Sequence, residues 1–174
     1  MRISKILVLV GVILVLCTPA RAETTSVGLG IGYADDDIMA YTLSLTQLYQ
    51  PLVAGSIVEL SPTGEVAVHL WDGEHDTSAG MSVSPGLRLT ILTDKAFSPY
   101  LGVSVGAALM SESEIDNRDL GSNLLMRTKG VVGVQFGEGN RHSIQGEYSY
   151  YSNLGIVSPN DGLNTYGGSY SFAF

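Results

Sequence analysis

The chain of 174 residues holds a single cysteine, Cys17, and three histidines. With one thiol it can form no internal disulfide, so an exported form must gain its stability from packing or from a bilayer. So few Cys and His residues leave no metal cluster at ligand spacing, and no metal or cofactor is expected. Basic residues are scarce as well, nine Lys and Arg against 17 Asp and Glu. A net charge of -8 makes nucleic acid an improbable partner. Beyond the N-terminus no apolar run reaches the ~20 residues that a spanning helix needs. Helical periodicity, internal repeats, linkers and low-complexity tracts are missing too. If the chain crosses a membrane it does so as a closed barrel, because only helices and closed barrels satisfy their own backbone in lipid.

The N-terminus has a different character. Arg2 and Lys5 precede the apolar stretch Ile6 to Cys17, and Ala20-Arg21-Ala22 is a small-x-small cleavage signal. Residues 1–22 are therefore expected to be a signal peptide, leaving 23–174 as a single barrel domain. A lipoprotein alternative at Cys17 is disfavoured by the bulky Leu16 before it. The signal would take three basic residues and no acid, so the remainder carries six against 17, or -11.

That remainder alternates. Tyr166, Gly168, Tyr170, Phe172 and Phe174 fall on one face of a closing strand, and Thr165, Gly167, Ser169, Ser171 and Ala173 on the other. An aromatic face backed by a small polar one suits a strand set in lipid. The same period of two recurs upstream. Val27 to Tyr33 alternates apolar residues with Gly28, Gly30 and Gly32, which predicts a crowded interior. Met39 to Leu45, Ala79 to Ile91, Leu101 to Leu109, Leu124 to Phe136 and Ser143 to Ser152 follow it too. A third strand is the least regular, since Pro62 and Gly64 interrupt it, and Trp71 is expected to end it near a membrane interface. Proline at 85 is tolerated only at a bulge or an unpaired position.

The fold class is thus all-β, an eight-stranded antiparallel transmembrane β-barrel with alternating short and long connections, placed in the bacterial outer membrane. The loops at 34–38, 72–77, 110–121 and 153–162 share one rim and carry most of the acid, including Asp35, Asp36, Asp37, Glu74, Asp76, Glu114, Asp116 and Asp161. A divalent-cation rim is one reading of them; ordinary solvated loops are favoured, as charge runs usually are.

Three blocks carry a resemblance to a known family: Leu120-Gly121-Ser122, Phe136-Gly137-Glu138-Gly139, and Ser152-Asn153-x-Gly155-Ile156 followed by Pro159-Asn160-Asp161-Gly162. Over about residues 119–174 the chain resembles the outer-membrane lipid A 3-O-deacylases. The resemblance implies an eight-stranded barrel that hydrolyses the acyl ester at position 3 of lipid A, through a Ser-His-Glu triad on the lipid-facing outside of the barrel. It assigns the nucleophile to Ser152 and the oxyanion region to Asn153 and Gly155. The histidine position is Tyr150 and the glutamate position Asn164, so two of three triad groups are replaced.

A serine hydroxyl is a weak nucleophile without a base, and a phenol does not take its proton readily near neutral pH. His142 shares the face, but ten residues of strand set it ~33 Å from Ser152. Glu147 points inward. His75, in an outward loop, is the remaining histidine to weigh as a base. The bland alternatives are a serine that begins a loop and a tyrosine that belongs to an interfacial girdle with Tyr148, Tyr151, Tyr166 and Tyr170. Two functions are carried forward. One is a deacylase-like barrel contacting lipopolysaccharide, with weak or lost ester hydrolysis; the other is a non-catalytic structural or lipid-binding barrel. Outer-membrane lipids, lipid A above all, are the expected partners, and a homo-oligomer is left open. On the resemblance, repair of the triad requires Tyr150→His and Asn164→Glu together.

Overall fold

The computed structural model describes residues 22–93 and 97–174. The expected signal peptide, apart from Ala22, lies outside the described residues, as does the middle of the turn after Leu92. Eight long strands run in sequence order: β1 (Ala22–Ala34), β2 (Met39–Tyr49), β3 (Val58–Asp72), β4 (Thr77–Ile91), β5 (Phe97–Met110), β6 (Leu124–Phe136), β7 (His142–Ser152) and β8 (Leu163–Ala173). Each pairs antiparallel with its chain neighbours, and β1 pairs with β8 to close the ring. Short ladders add a turn of sheet at Val53–Ala54 and a small hairpin at Glu114–Ile115 with Arg118–Asp119. No helix among the described residues is long and apolar enough to cross a membrane.

Closure comes with a fixed stagger. Directly paired residues lead from Ser152 to Met126, Ala107, Val83, Val66, Leu45, Val27, Phe172 and then His142. The circuit returns to the same strand 152 − 142 = 10 residues lower. Such a shear in an eight-stranded barrel tilts the strands by roughly 35–45° to the axis.

The third strand runs unbroken through Pro62 and Gly64, which pair with Leu87 and Pro85. Tertiary pairing outweighs the local breakers here. Pro85 behaves as its chemistry requires: the β4–β5 ladder passes from Val83–Ala107 to Gly86–Ser104, skipping Ser84 and Pro85. Glycine is needed where β1 meets β8, since a Cβ on Gly32 would lie 2.2 Å from the Tyr166 carbonyl oxygen.

The outside is an apolar belt: Leu29, Ile31, Leu43, Val68, Leu101, Val103, Val132, Ile144 and Tyr166 are all exposed. The inside has two layers. Toward the long loops, an apolar plug of Ile38, Trp71, Met110, Ile115, Leu120, Leu125, Tyr151 and Leu163 seals the barrel. Trp71 is a correction to the sequence expectation. It points inward, is 1% exposed, and stacks on His69 with ring centroids 5.1 Å apart. Its neighbours Leu70 and Asp72 are exposed, so strand alternation fixed its direction and overrode the preference of tryptophan for interfaces.

Below the plug lies an ionic layer. Glu65 accepts from Arg127 at 2.6 Å and from Lys129 at 2.7 Å, and Lys129 also pairs with Glu147 at 3.1 Å. Ser82 and Ser149 take further Arg127 protons at 3.1 and 3.2 Å. Charges this far from water are tolerable only as a connected set. Deeper still, a small polar cavity of about 60 Å³ is lined by Ser26, Thr46, Arg88, Tyr100 and Ser143.

Two predictions follow from this layering. Glu65→Gln leaves buried Arg127 without its paired carboxylate and Lys129 with Glu147 alone, and should lower the unfolding free energy in lipid vesicles by about 3–5 kcal/mol, read from the urea midpoint. Glu59→Gln, near the rim, should stay within about 0.5 kcal/mol. Outer-membrane barrels turn their longer loops outward. Single cysteines at Glu114 or Asn160 should therefore label on intact cells, and one at Gly139 only after permeabilisation; the reverse pattern would invert the assigned orientation.

Candidate functional site

Register sets the site. Tyr150 pairs directly with Asn164 across β7 and β8, and both point outward, as do Tyr148 and Tyr166 below them. Ser152 ends β7 on the same face, opposite Met126 of β6. It is 6% exposed, because the following loop folds over it. Its Oγ accepts from the Leu154 amide at 3.4 Å. No imidazole or carboxylate among the described residues hydrogen-bonds it.

The loop from 153 to 162 is built on Asn153. The Asn153 Nδ2 donates to the carbonyls of Leu120 (2.8 Å), Val157 (2.9 Å) and Pro159 (3.2 Å). Its Oδ1 accepts from the Gly155 amide at 2.8 Å, and its own amide donates to Asn160 Oδ1 at 3.0 Å. The amides of Asn153 and Gly155 are thus engaged within the loop. A second lock joins this loop to the preceding one: the Asp119 amide donates to Asp161 Oδ2 at 3.0 Å, and the Asp161 amide returns a bond to the Asp119 carbonyl at 3.2 Å. Gly121, at φ +66°, fits beneath Pro159, where a Cβ would meet the Pro159 carbonyl at 2.1 Å. Ser152, Asn153, Asn160, Asp161 and Gly121, picked out by motif, are thereby brought together.

The histidines are not. His142 sits at the opposite rim among Phe136, Tyr170 and Phe172, its Nδ1 2.7 Å from the Tyr170 hydroxyl. His69 is buried between Thr42 and Ser82 inside the barrel. His75 belongs to the β3–β4 turn, on the far side of the ring from β7. Its amide is clamped by Asp116, which accepts from Glu74 (2.9 Å), His75 (2.9 Å) and Asp76 (3.1 Å).

Sequence reasoning missed Asp35 and Arg118. Asp35 Oδ2 accepts from the Asn164 amide at 2.8 Å and from its Nδ2 at 2.7 Å. Arg118 lies 3.5 Å from the same oxygen and donates to the Gly162 carbonyl at 2.9 Å. The Asn164 Oδ1 accepts from the Tyr148 hydroxyl at 2.7 Å. No spacing signal joins residues 35 and 164; only the β1–β8 closure brings them together.

A closed eight-stranded antiparallel barrel, apolar outside and polar within, with its titratable cluster at the lipid-facing rim, defines an outer-membrane β-barrel protein. The family follows from comparison. The model of the lipid A 3-O-deacylase (PagL) family matches residues 38–173, and the chain belongs to that family. It is 25% identical over 151 residues to the lipid A deacylase PagL of Pseudomonas aeruginosa, covering 84% of this chain and 85% of that protein. To the PagL of Bordetella bronchiseptica it is 26% identical over 165 residues, covering 91% and 89%. Among solved structures it is similar to the outer membrane enzyme PagL, with a TM-score of 0.79 at 24% identity over 84% of this chain and 98% of that one. Neisserial surface protein A shares the fold at a TM-score of 0.59 and 12% identity, over 87% and 96%. The expected fold, family and outer-membrane location are those found.

Three backbone amides directed at one carboxylate favour its charged form, so Asp116 is held below the usual 3.8. A carboxyl whose folded value is depressed contributes stability that is present above its unfolded value and lost as pH falls through the folded one. The β3–β4 turn should accordingly stay clamped at neutral pH and loosen only below about pH 4. Hydrogen exchange at Glu74, His75 and Asp76 measures this, and Asp116→Ala, which removes both acceptor oxygens, should abolish the protection at every pH.

Proposed function

We propose that this chain is a lipid A-contacting outer-membrane barrel in which hydrolysis of the 3-linked acyl ester is weak or lost. The observation that carries it is the surroundings of Ser152: its hydroxyl accepts a backbone proton and, among the described residues, has no base to give its own to. Tyr150 stands at the base position and Asn164 at the carboxylate position, directly paired. Loss of base and carboxylate together costs on the order of 10⁶ in kcat in a serine hydrolase. The amides of Asn153 and Gly155, candidate oxyanion donors, are spent inside the loop, which favours the non-catalytic form of this function. Lipid contact has separate support in the apolar belt, the aromatic rim of Tyr148, Tyr150 and Tyr166, and the family. The same proposal takes residues 1–22 as a removed signal peptide and 23–174 as the mature barrel.

Mass spectrometry of lipid A from cells expressing the native chain tests it. Spectra indistinguishable from those of the Ser152→Ala variant are expected. Loss of the 3-linked chain that disappears with Ser152→Ala would show a working serine and overturn the proposal.

A further inference from the structure

Asp35 changes what is missing from this site. The β1–β8 ladder reaches Ala34–Thr165, which puts Asp35 beside Asn164. On its other side Asn164 pairs with Tyr150. Asp35, first residue of the turn after β1, therefore lines up with Asn164 of β8 and residue 150 of β7. The orientation of the Asn164 amide is set by charge: an ionised carboxylate only accepts, so the NH₂ must face Asp35. That turns Oδ1 toward β7, where it already takes the Tyr148 proton at 2.7 Å and has a second lone pair left. The amide shows β7 an acceptor, and 2.7 Å from its Nδ2 lies the Asp35 carboxylate, itself 3.5 Å from the Arg118 guanidinium.

We propose that Asp35 is a positioning residue of this site, supplying through Asn164 the acceptor and the charge that the resemblance assigns to residue 164 alone. The acceptor side of the site is then in place, and the proton acceptor missing beside Ser152 is a base at 150. This rests on the reading of Ser152 given above.

The consequence departs from simple triad repair. In Tyr150→His, the imidazole would sit opposite Asn164, with Cβ atoms ~4.5–5.5 Å apart. Its Nδ1–H can bond to Oδ1 while Nε2 faces Ser152 two residues on. Ser152 Oγ would attack the acyl carbonyl as its proton passes to Nε2. The tetrahedral adduct collapses, the C–O bond to the sugar breaks, and the imidazolium returns the proton to the departing 3-hydroxyl. Water repeats the sequence on the acyl-serine and releases the fatty acid. Asp35 stabilises the imidazolium of both halves through the amide. Asn164→Glu does the opposite of repair: it removes the Nδ2 donor and sets a second carboxylate against Asp35, where like charges disfavour ionisation.

The test is lipid A mass spectrometry and, on purified barrels, pH–rate profiles for a set of variants, each checked for folding by migration on unboiled gels. Tyr150→His should gain at least ~100-fold over the native chain. Adding Asn164→Glu should lower that rate, and Asp35→Asn on top of both should raise it again. In the Tyr150→His background, Asp35→Asn should cut the rate ~10-fold and move the acidic limb down by about one pH unit, because the carboxylate is lost while the Arg118 cation beside it stays. Asp35→Glu should keep the limb in place. A merely structural Asp35 would reduce the folded fraction without moving the limb. A folded but silent Tyr150→His, a Tyr150→His/Asn164→Glu pair faster than Tyr150→His alone, or an unmoved limb in Asp35→Asn would each overturn the proposal. Failure of the underlying reading looks different: either the native chain is active, or activity in Tyr150→His survives Ser152→Ala.

Discussion

The constraint on which the rest depends is that no backbone N–H or C=O can go unpaired in hydrocarbon. Eight strands meet it only by closing on themselves, and the β1–β8 ladder that closes them covers Ser26–Ala173 to Ala34–Thr165. Closure at a stagger of ten residues fixes which side chains share a row and which face they take. One face must be apolar to sit in lipid. The other must fill a narrow interior, and it does so with an apolar plug toward the long loops and, below it, with serines, glycines and a charged layer. In that layer Glu65, Arg127, Lys129 and Glu147 satisfy one another.

The same stagger builds the rim. Residues 150 and 164 face one another because β7 and β8 are paired in that register. Asp35 joins them because it directly follows Ala34, the last residue of β1 to pair with β8. A site assembled by register in this way can exchange a role between neighbouring strands without any change in fold. An amide replacing a carboxylate at 164 is a loss if residue 164 is taken alone. It is less of one when a carboxylate in the turn after β1 accepts from that side-chain amide and from the backbone N–H of the same residue.

Much of this was legible in the sequence, because a period of two is a local property. The strand count, the outward face of β7 and β8, the inward direction of Glu147 and the break in the β4–β5 ladder at Pro85 all follow from alternation and from proline's missing N–H. What escaped was non-local or misdirected by a general preference. Pro62 and Gly64 look like breaks, but β3 is paired on both sides and keeps its course. Trp71 was expected at an interface, whereas alternation puts it in the plug. Asp35 looked like one acid in a run of three. Its partner lies 129 residues away, a contact no window of sequence contains.

The residues that carry the resemblance make most of their bonds to each other. Asn153, Asn160, Asp161 and Gly121 hold two long loops together over the end of β7, and they would do so whatever stood at 150 or 164. A motif built of such residues reports the loop architecture, and through it the family. It is silent on chemistry, which depends on whether a proton acceptor faces the Ser152 hydroxyl. Family and activity are separate questions for a physical reason: the loop scaffold is held by its own hydrogen bonds, and none of those described for Asn153, Asn160 or Asp161 involves the side chain at 150.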